Sequence, residues 1–336
     1  MSRIFPVNIL FLLLAIMAPF ASMAQETTYF ESYKADKILG RILLTRKLNV
    51  IELDEEIDDK SNKLEFTPED DFRVGIGVHY KWLGLSATIP LSKNKEQETE
   101  GSNLDIQGQV ILPFLIIEGS LFRYNGYSIE NLNDYPNLED LKDEVFDISF
   151  RSFNTNIYYI LNHQHYSYRS FKILTEKQKK SAGSAILGLF YNYTRLEAEG
   201  GIIPEPIKDL FSEKMDISNE NYNLIGVSAG YAHNFVLKNN FSIGVLLTTG
   251  PGYMSENKKP LKKSSETVSQ LAFSTEFQLG AAYQGEDYFY RLLVQVNVFN
   301  RTLDSEEQKI NTIQGYVNFQ FGKRFNIPRK AKTPKF

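Results

Sequence analysis

The sequence predicts an all-β protein, a transmembrane antiparallel β-barrel of outer-membrane type with about 12 strands. The stretch Asn311–Phe325 alternates apolar and polar residues and ends on an aromatic residue, as expected of a strand with one lipid-facing and one lumenal side. An apolar run near the N-terminus has the form of a secretory signal. Tyr and Phe are abundant, with 19 and 24 residues, which is typical of the aromatic girdles at membrane interfaces. A large soluble β-sandwich is the alternative, because it shows the same alternation.

The N-terminal run predicts export. Arg3 supplies the positive charge, Ile4–Phe20 is apolar, and Ala21–Ala24 offers the small residues that a signal peptidase requires, so we predict cleavage before Gln25. A membrane anchor that stays attached is the alternative, although the run is short for a span. The predicted organisation is a signal peptide at 1–24, an N-terminal periplasmic segment at 25–40, the barrel at 41–325 and a periplasmic tail at 326–336.

Composition excludes several kinds of site. The chain has no Cys, which excludes disulfides, thiolate metal sites and Cys nucleophiles. Its formal net charge of −4 argues against a nucleic-acid partner. No phosphate-binding glycine loop, H-E-x-x-H motif or EF-hand spacing occurs, and His79, His163 and His233 are scattered, so we expect no cofactor and no metal site.

The connections between alternating segments are of two kinds. Short periplasmic turns and long outer loops are what outer-membrane barrels have, so the pattern predicts the cell outer membrane of a Gram-negative bacterium. The short connections lie near Lys81–Trp82, Leu112–Pro113, Asn162–His163, Lys238–Asn240 and Gly285–Asp287. The long charged ones cover residues 54–71, 92–103, 125–144, 196–221, 255–266 and 301–309. The first strand is predicted near Arg41–Leu53 and the last at Asn311–Phe325.

One segment breaks the order of short and long connections. Tyr166–Leu174 and Ala182–Thr194 both have strand patterns and are joined by Thr175–Ser181. If both crossed the membrane, the strand count would be odd, whereas single-chain bacterial barrels have even counts. We therefore interpret Tyr166–Thr194 as one spanning unit, interrupted by an insertion or a bulge that turns into the lumen.

The same segment carries a family resemblance. Ser170–Leu174, followed by Glu176–Ser184, resembles the signature stretch of domain-of-unknown-function family 4421, outer-membrane barrel proteins of Bacteroides-like bacteria. Tyr124–Tyr127 is similar to a second stretch of that family. The resemblance covers Tyr33 to Phe325 and implies the barrel fold and the location, but no activity.

A basic cluster in the insertion is the main candidate site. Lysines and arginines that point into a barrel create a positive field that favours anions, so the cluster predicts a lumenal filter or constriction. A solvated loop is the alternative. The members of this basic cluster are Arg169, Lys172, Lys177, Lys179 and Lys180.

Two outer loops and one residue pair are weaker candidates. The loop with Lys258, Lys259, Lys262 and Lys263 suits lipopolysaccharide phosphates, and the acidic loop at 54–71 could collect divalent cations, although its spacing matches no known ligand set. His165 and Ser167 would lie on one side of a strand, as a base and a hydroxyl nucleophile do, but no orienting acid is evident. We therefore assign no catalytic residue and do not expect an enzyme.

Three functions stay open, in this order. The first is a channel or transporter for small polar or anionic solutes, filtered by the basic cluster. The second is a structural, envelope-organising barrel with a filled lumen, since a barrel of this size can be filled by its own side chains. The third is a lipid hydrolase that uses His165 and Ser167. The expected partners are outer-membrane lipid, including lipopolysaccharide, the barrel assembly machinery and a small solute.

Overall fold

The computed structural model describes residues 29–33, 37–57, 60–68, 72–91, 103–135, 141, 144–262, 264–300 and 308–326. The predicted signal peptide and the tail after Asn326 lie outside these residues. None of the helices in the described ranges has the length and apolar character needed to cross a membrane.

Within the described ranges, twelve antiparallel strands form a closed ring, in agreement with the predicted fold class. The first and last strands of the ring pair along their full shared length, from Lys37 with Asn326 to Glu55 with Gln308, so the described wall has no free edge. In ring order the strands are β2 (Lys37–Ile57), β4 (Phe72–Tyr80), β5 (Leu83–Pro90), β6 (Leu104–Ile111), β7 (Leu115–Ile129), β8 (Phe146–Ile160), β10 (Ala182–Ala198), β11 (Ile217–Val236), β12 (Phe241–Pro260), β13 (Glu266–Gln284), β14 (Tyr288–Asn300) and β15 (Gln308–Asn326).

The alternation of the sequence becomes an inside-out arrangement. Leu271 and Ile76, on the apolar faces of their strands, are 74% and 72% exposed, whereas Gln278 and Gln314, on the polar faces, are 0% and 2% exposed. Apolar residues outside and polar residues inside are the pattern of a barrel with a lipid-facing wall.

The end of the barrel where long loops were predicted, here called the outer end, contains more strand than the sequence predicted. β3 (Lys60–Pro68) returns from β2 and pairs with β7 through Phe66–Pro68, which closes the wall above the short strands β4, β5 and β6. The predicted loop at 54–71 therefore contains strand, and so do parts of the predicted loops at 125–144, 196–221 and 255–266. The prediction was wrong there because cross-strand pairing extends strands whose own sequences are charged.

The opposite end carries the tight turns that were predicted. At the β11–β12 turn, Asn239 and Asn240 both have positive φ, 58° and 67°, the combination of a type I′ hairpin turn that Asn tolerates.

The first strand of the wall begins at Lys37, four residues before the predicted start at 41.

The barrel has its core in the lumen. One apolar cluster fills the outer end, with Phe66, Tyr127 and Ile203 among its members, and another fills the end with the short turns, with Tyr166 and Phe171 among its members. Buried polar side chains occupy the space between them, including Asn154, Gln278 and Gln314. The candidate site is therefore the filled lumen.

Candidate functional site: a plugged lumen

The segment before β10 lies inside the barrel, where a short helix replaces the strand that was predicted for Tyr166–Leu174. Helix α1 (Tyr168–Lys172) begins after Ser167, whose hydroxyl accepts a hydrogen bond from the backbone N–H of Ser170 at 3.0 Å, the usual N-cap. Just past the C-terminal end of the helix, Leu174 has a φ of 59° and donates its N–H to Arg169 O at 2.8 Å. Tyr166–Leu174 is thus helix and turn rather than strand, and β10 is the single wall strand of the Tyr166–Thr194 unit.

The ring of Phe171 seats the helix against the wall. It is 4% exposed and lies against Gly244 of β12 and Gly280 of β13, which are direct cross-strand partners. A Cβ at Gly244 would overlap the ring, and a Cβ at Gly280 would lie 2.9 Å from it. The two glycines therefore form a notch that fits the aromatic side chain.

Lys172 places a positive charge among buried carboxylates and amides. Its Nζ lies 3.3 Å from Glu118 Oε2 and donates to Gln278 Oε1 and Gln295 Oε1 at 3.0 and 2.8 Å. Gln278 and Gln295 in turn donate to Glu276, which also accepts hydrogen bonds from Tyr158 and Asn156. A buried charge is tolerated when it is paired and hydrogen-bonded in this way, so Lys172 joins the helix to three wall strands, β7, β13 and β14.

Three arginines bind backbone carbonyls around the helix. Arg291 Nη1 donates to Phe171 O at 3.2 Å and Arg324 Nη2 to Leu174 O at 2.6 Å. Arg169, from the helix itself, donates from Nη2 to Ile111 O of the wall at 2.7 Å. Guanidinium groups satisfy the carbonyls that a helix end leaves without intrahelical partners.

β1 (Phe30–Ser32) and β9 (Glu176–Gln178) pair into a two-stranded ribbon, and β1 pairs with none of the described wall strands. We call β1, α1 and β9 together the plug. Next to the ribbon, the guanidinium of Arg324 lies 3.6 Å from the ring centroid of Tyr33. The segment predicted to be periplasmic thus contributes a strand to the plug, at the end of the barrel with the short turns.

The outer end is closed by a separate structure, the outer cap, which comprises β3 and residues 199–216. Tyr135 OH donates to Lys63 O at 2.8 Å and accepts from Lys63 N at 3.0 Å, and burial raises the pKa of the Tyr135 phenol. The N–H of Ser212 donates to Glu55 at 2.8 Å, and the Nδ2 of Asn62 donates to Leu210 O at 2.9 Å. These contacts hold the cap over the apolar cluster beneath it.

Two small cavities lie in the lumen between the plug and the outer cap. One of about 60 Å³ lies beside Lys172, Glu118 and Asn154, and another of about 20 Å³ lies beside Arg41 and Lys172. The first has room for a few water molecules and the second for about one.

The predicted basic cluster is divided by the structure. Lys172 lies inside the barrel and Arg169 lies at its rim, where it pairs with Glu176 at 3.2 Å. The other three lysines face away from the lumen: Lys177 donates to Asn240 at 2.7 Å, Lys179 pairs with Glu31 at 2.6 Å, and Lys180 lies 5.2 Å from the Tyr29 ring centroid.

The predicted lipid-phosphate lysines do not share one surface. Lys258 is buried on the lumenal side of β12, Lys259 is exposed on the opposite side, and Lys262 lies in the following turn. Lys263 lies outside the described residues. In the acidic segment, Glu55 is buried beneath the outer cap, and no cluster of metal-ligating side chains occurs within the described ranges.

His165 and Ser167 have separate partners. His165 Nδ1 lies 2.7 Å from Asn162 Oδ1, and the Ser167 hydroxyl donates to Glu176 while it caps α1. Ser167 is 3% exposed. A buried hydroxyl that already caps a helix is poorly placed to attack a lipid.

Sequence reasoning missed the partners that fix the plug. Glu118, Glu276, Arg291 and Arg324 all project from wall strands into the lumen. The sequence does contain a signal for these residues. Each is a charged residue on the polar face of a strand whose other face is apolar, and a charge that points into a narrow barrel requires a partner.

Comparison with solved structures found outer-membrane barrels of low sequence identity. The outer membrane protease OmpT from Escherichia coli aligns with a TM-score of 0.42 at 11% identity, over 90% of this chain and 100% of that chain. The toluene transporter TodX of Pseudomonas putida aligns with a TM-score of 0.25 at 8% identity, over 87% and 90%. The CymD monoaromatic hydrocarbon channel aligns with a TM-score of 0.28 at 11% identity, over 87% and 89%.

The comparison with curated proteins found no match. The family comparison did, and it agrees with the resemblance seen in the Ser170–Ser184 stretch. The chain belongs to the family described as domain of unknown function DUF4421, which matches residues 25–325.

Proposed function

We propose that this protein is a closed outer-membrane barrel with a structural, envelope-organising role. The observation that carries the proposal is the filled lumen: Lys172 of the plug is bound to Glu118, Gln278 and Gln295 of the wall, with an apolar cluster at each end. A solute path would have to break this buried network and displace both clusters.

The short turns and the plug would face the periplasm and the outer cap would face the medium. Both ends of the described ring, Lys37 and Asn326, lie at the short-turn side, which is the periplasmic side of bacterial barrels. The barrel assembly machinery would insert the protein in this orientation. In this arrangement the outer cap is the ordered surface that other envelope components would meet.

Planar-bilayer conductance of the refolded protein tests the proposal. The folded protein should insert without producing stable openings. Stable, ion-selective openings of the wild-type protein would overturn a closed lumen. Folding is checked independently by the shift in electrophoretic mobility between heated and unheated samples.

A channel that opens by moving its plug is the second candidate. It is favoured by one observation: β1 and β9 form their own sheet, so the ribbon can leave without breaking a described wall strand. Because the chain has no Cys, a Ser170→Cys variant can be labelled selectively with a water-soluble maleimide. Ser170 is 3% exposed, and labelling at the rate of an exposed Lys179→Cys control would favour a moving plug over the closed barrel.

The structure gives the anion filter less support than the sequence did. Of the basic cluster, only Lys172 is directed at the centre of the lumen, and its charge is already bound by Glu118. An anion would therefore compete with a buried carboxylate for the same ammonium group.

A further inference from the structure

A cavity of about 180 Å³ lies between the plug and the wall, at the end of the barrel with the short turns. Its plug side is formed by β1, α1, β9 and the adjoining Tyr33 and Thr175. Its wall side is formed by the start of β2, the end of β15 and the β4–β5 turn, Lys81–Trp82. We call it the mouth cavity. It is larger than either lumenal cavity and shares no described lining residue with them.

The mouth cavity carries more positive charge than nearby carboxylates neutralise. Its cationic lining side chains are Lys37, Lys81, Arg169 and Arg324. Lys37 pairs with Asp287 at 2.9 Å, and Arg169 pairs with Glu176 at 3.2 Å. Among the described residues, no carboxylate forms an ion pair with Lys81 or Arg324, which contact the rings of Tyr80 and Tyr33 instead. The cavity therefore has two positive charges beyond its ion pairs.

Three buried groups at the mouth cavity have unused hydrogen-bonding capacity. Arg324 is 3% exposed, and both of its terminal nitrogens donate to backbone carbonyls, but its Nε has no partner within the described ranges. On the plug side, the hydroxyls of Tyr33 and Thr175 are also buried without a hydrogen-bond partner in the described part of the chain. Buried polar groups without partners are rare and costly, and all three of these can donate. They indicate a ligand that supplies acceptor oxygens.

Lys81 occupies a backbone position that does not suit lysine. Its φ is 55°, in the two-residue turn between the paired Tyr80 and Leu83. Glycine and asparagine are the residues that adopt this conformation readily, and it is uncommon for others. The turn itself therefore gives no reason for a lysine, whereas an ammonium group at the edge of a positively charged cavity does.

We propose that the mouth cavity binds a phosphate group, carried by a small ester or by a lipid headgroup on the periplasmic side. The donors belong to both the plug and the wall, and a tetrahedral phosphate presents oxygens in several directions at once. A planar carboxylate best fits the fork of one guanidinium, and the terminal nitrogens of Arg324 are already taken by carbonyls. The periplasmic side rests on the membrane orientation proposed above, but the site does not depend on whether the lumen is closed.

The position of the cavity gives two sources of phosphate access to it. It faces the mouth of the barrel, which a soluble ester reaches from the periplasm. Trp82 lines it and is 43% exposed, and the flanking Tyr80 and Leu83 are 39% and 41% exposed on the lipid-facing side. Aromatic residues in such a place mark the membrane interface, so a headgroup entering the cavity would leave its acyl chains against the outer wall.

Titration with glycerol 3-phosphate tests the proposal. The refolded full chain in uncharged detergent micelles is followed by the fluorescence of Trp82, the single tryptophan, and by isothermal titration calorimetry. The wild-type protein should bind with a saturable signal in both measurements. Succinate, a dicarboxylate of similar size, should bind at least about tenfold more weakly, because it cannot satisfy donors on both sides of the cavity.

Two variants remove donors without disturbing the fold. Lys81→Asn places a residue that tolerates the positive φ and removes the ammonium group, so binding should weaken by about tenfold while the protein folds as well as the wild type. Tyr33→Phe removes the hydroxyl and keeps the ring over Arg324, and it should weaken binding by about fivefold. Lys238→Asn is the matched control, because Lys238 is an exposed lysine beside the β11–β12 turn at the same end of the barrel and does not line the cavity. Its affinity should stay within about twofold.

Phosphatidylglycerol in the micelles distinguishes the two sources, with diacylglycerol as the phosphate-free control. Displacement of glycerol 3-phosphate by phosphatidylglycerol alone supports a lipid headgroup in the site, and binding that phosphatidylglycerol leaves unchanged supports a soluble ester.

Three results would overturn the proposal: no saturable binding of glycerol 3-phosphate, equal affinity for succinate, or a loss in Lys238→Asn as large as that in Lys81→Asn. Folding of each variant is checked by the shift in electrophoretic mobility on heating. A conducting wild-type barrel that binds glycerol 3-phosphate would overturn the closed lumen and leave the phosphate site standing, whereas a silent barrel without binding would do the reverse.

Discussion

The fit between Phe171 and its glycine notch gives the sharpest test of the plug. Phe171→Ala removes a ring that is 4% exposed, and such substitutions lower the free energy of unfolding by about 3–5 kcal/mol. Gly244→Ala adds a methyl group where the ring now lies, and overpacking of this kind costs about 1–3 kcal/mol.

The two substitutions should be strongly coupled. In the double variant the new methyl group occupies space that the ring has vacated, so the loss should be no greater than that of Phe171→Ala alone, about 3–5 kcal/mol, rather than the sum of the two losses. Gly119→Ala is the matched control, because its Cβ would lie 3.8 Å from the nearest atom, Asn154 O. It should be close to neutral.

Urea titration in detergent micelles measures these differences. Trp82, the single tryptophan, lies beside Arg169 and Glu176 at the plug end of the barrel, so its fluorescence reports the relevant region. Additive losses of unfolding free energy in the double variant, or a loss below about 1 kcal/mol for Phe171→Ala, would refute the inference that Phe171 in the glycine notch holds the plug in place. Conductance of the same variants shows whether a loosened plug opens the lumen.

Three further predictions concern the plug. Lys172→Met should lower the free energy of unfolding by about 3–5 kcal/mol, because it leaves the Glu118 carboxylate buried without its ammonium partner, and Glu118→Gln in the same chain should restore most of the loss in urea titration. Ser167→Ala should cost about 1 kcal/mol through the lost cap on Ser170 N–H, and labelling by a fluorophosphonate probe should be the same before and after the change; labelling that depends on Ser167 would instead indicate a hydrolase. Lys179→Ala should change stability by less than about 1 kcal/mol, since its ion pair is exposed, and a larger change would contradict its placement outside the lumen.

The strands of the wall could be predicted from the sequence because the alternation that identifies a strand lies within the strand itself. A period of two specifies which residues of Leu271–Tyr283 face lipid, whatever strand lies beside it. Because single-chain bacterial barrels have an even number of strands, Tyr166–Thr194 was interpreted as a single crossing rather than two. Turn chemistry at Asn239 and Asn240 was equally local.

The plug and the outer cap depend on distant partners, which the sequence does not display. Tyr168–Lys172 alternates over too few residues to separate helix from strand, and enclosure by the wall decides between them. β3 pairs locally with β2 over Lys60–Phe66, but it closes the wall only because Phe66–Pro68 meets β7, a contact across a long chain separation. Sequence proximity likewise grouped Lys172 with Lys179, although one is buried among wall residues and the other pairs with Glu31 at the surface.

The filled lumen affects which substitutions the sequence can accept during evolution. At lipid-facing positions such as Leu271 and Ile76, any apolar side chain of tolerable size meets the same disordered acyl chains. At lumenal positions such as Gln278 and Gln295, each amide completes hydrogen bonds to Lys172 and Glu276, so one replacement leaves several buried groups unsatisfied. Divergent members of the family should therefore vary freely on their apolar exterior and change their polar interior in concerted sets, the reverse of what is expected of a soluble protein.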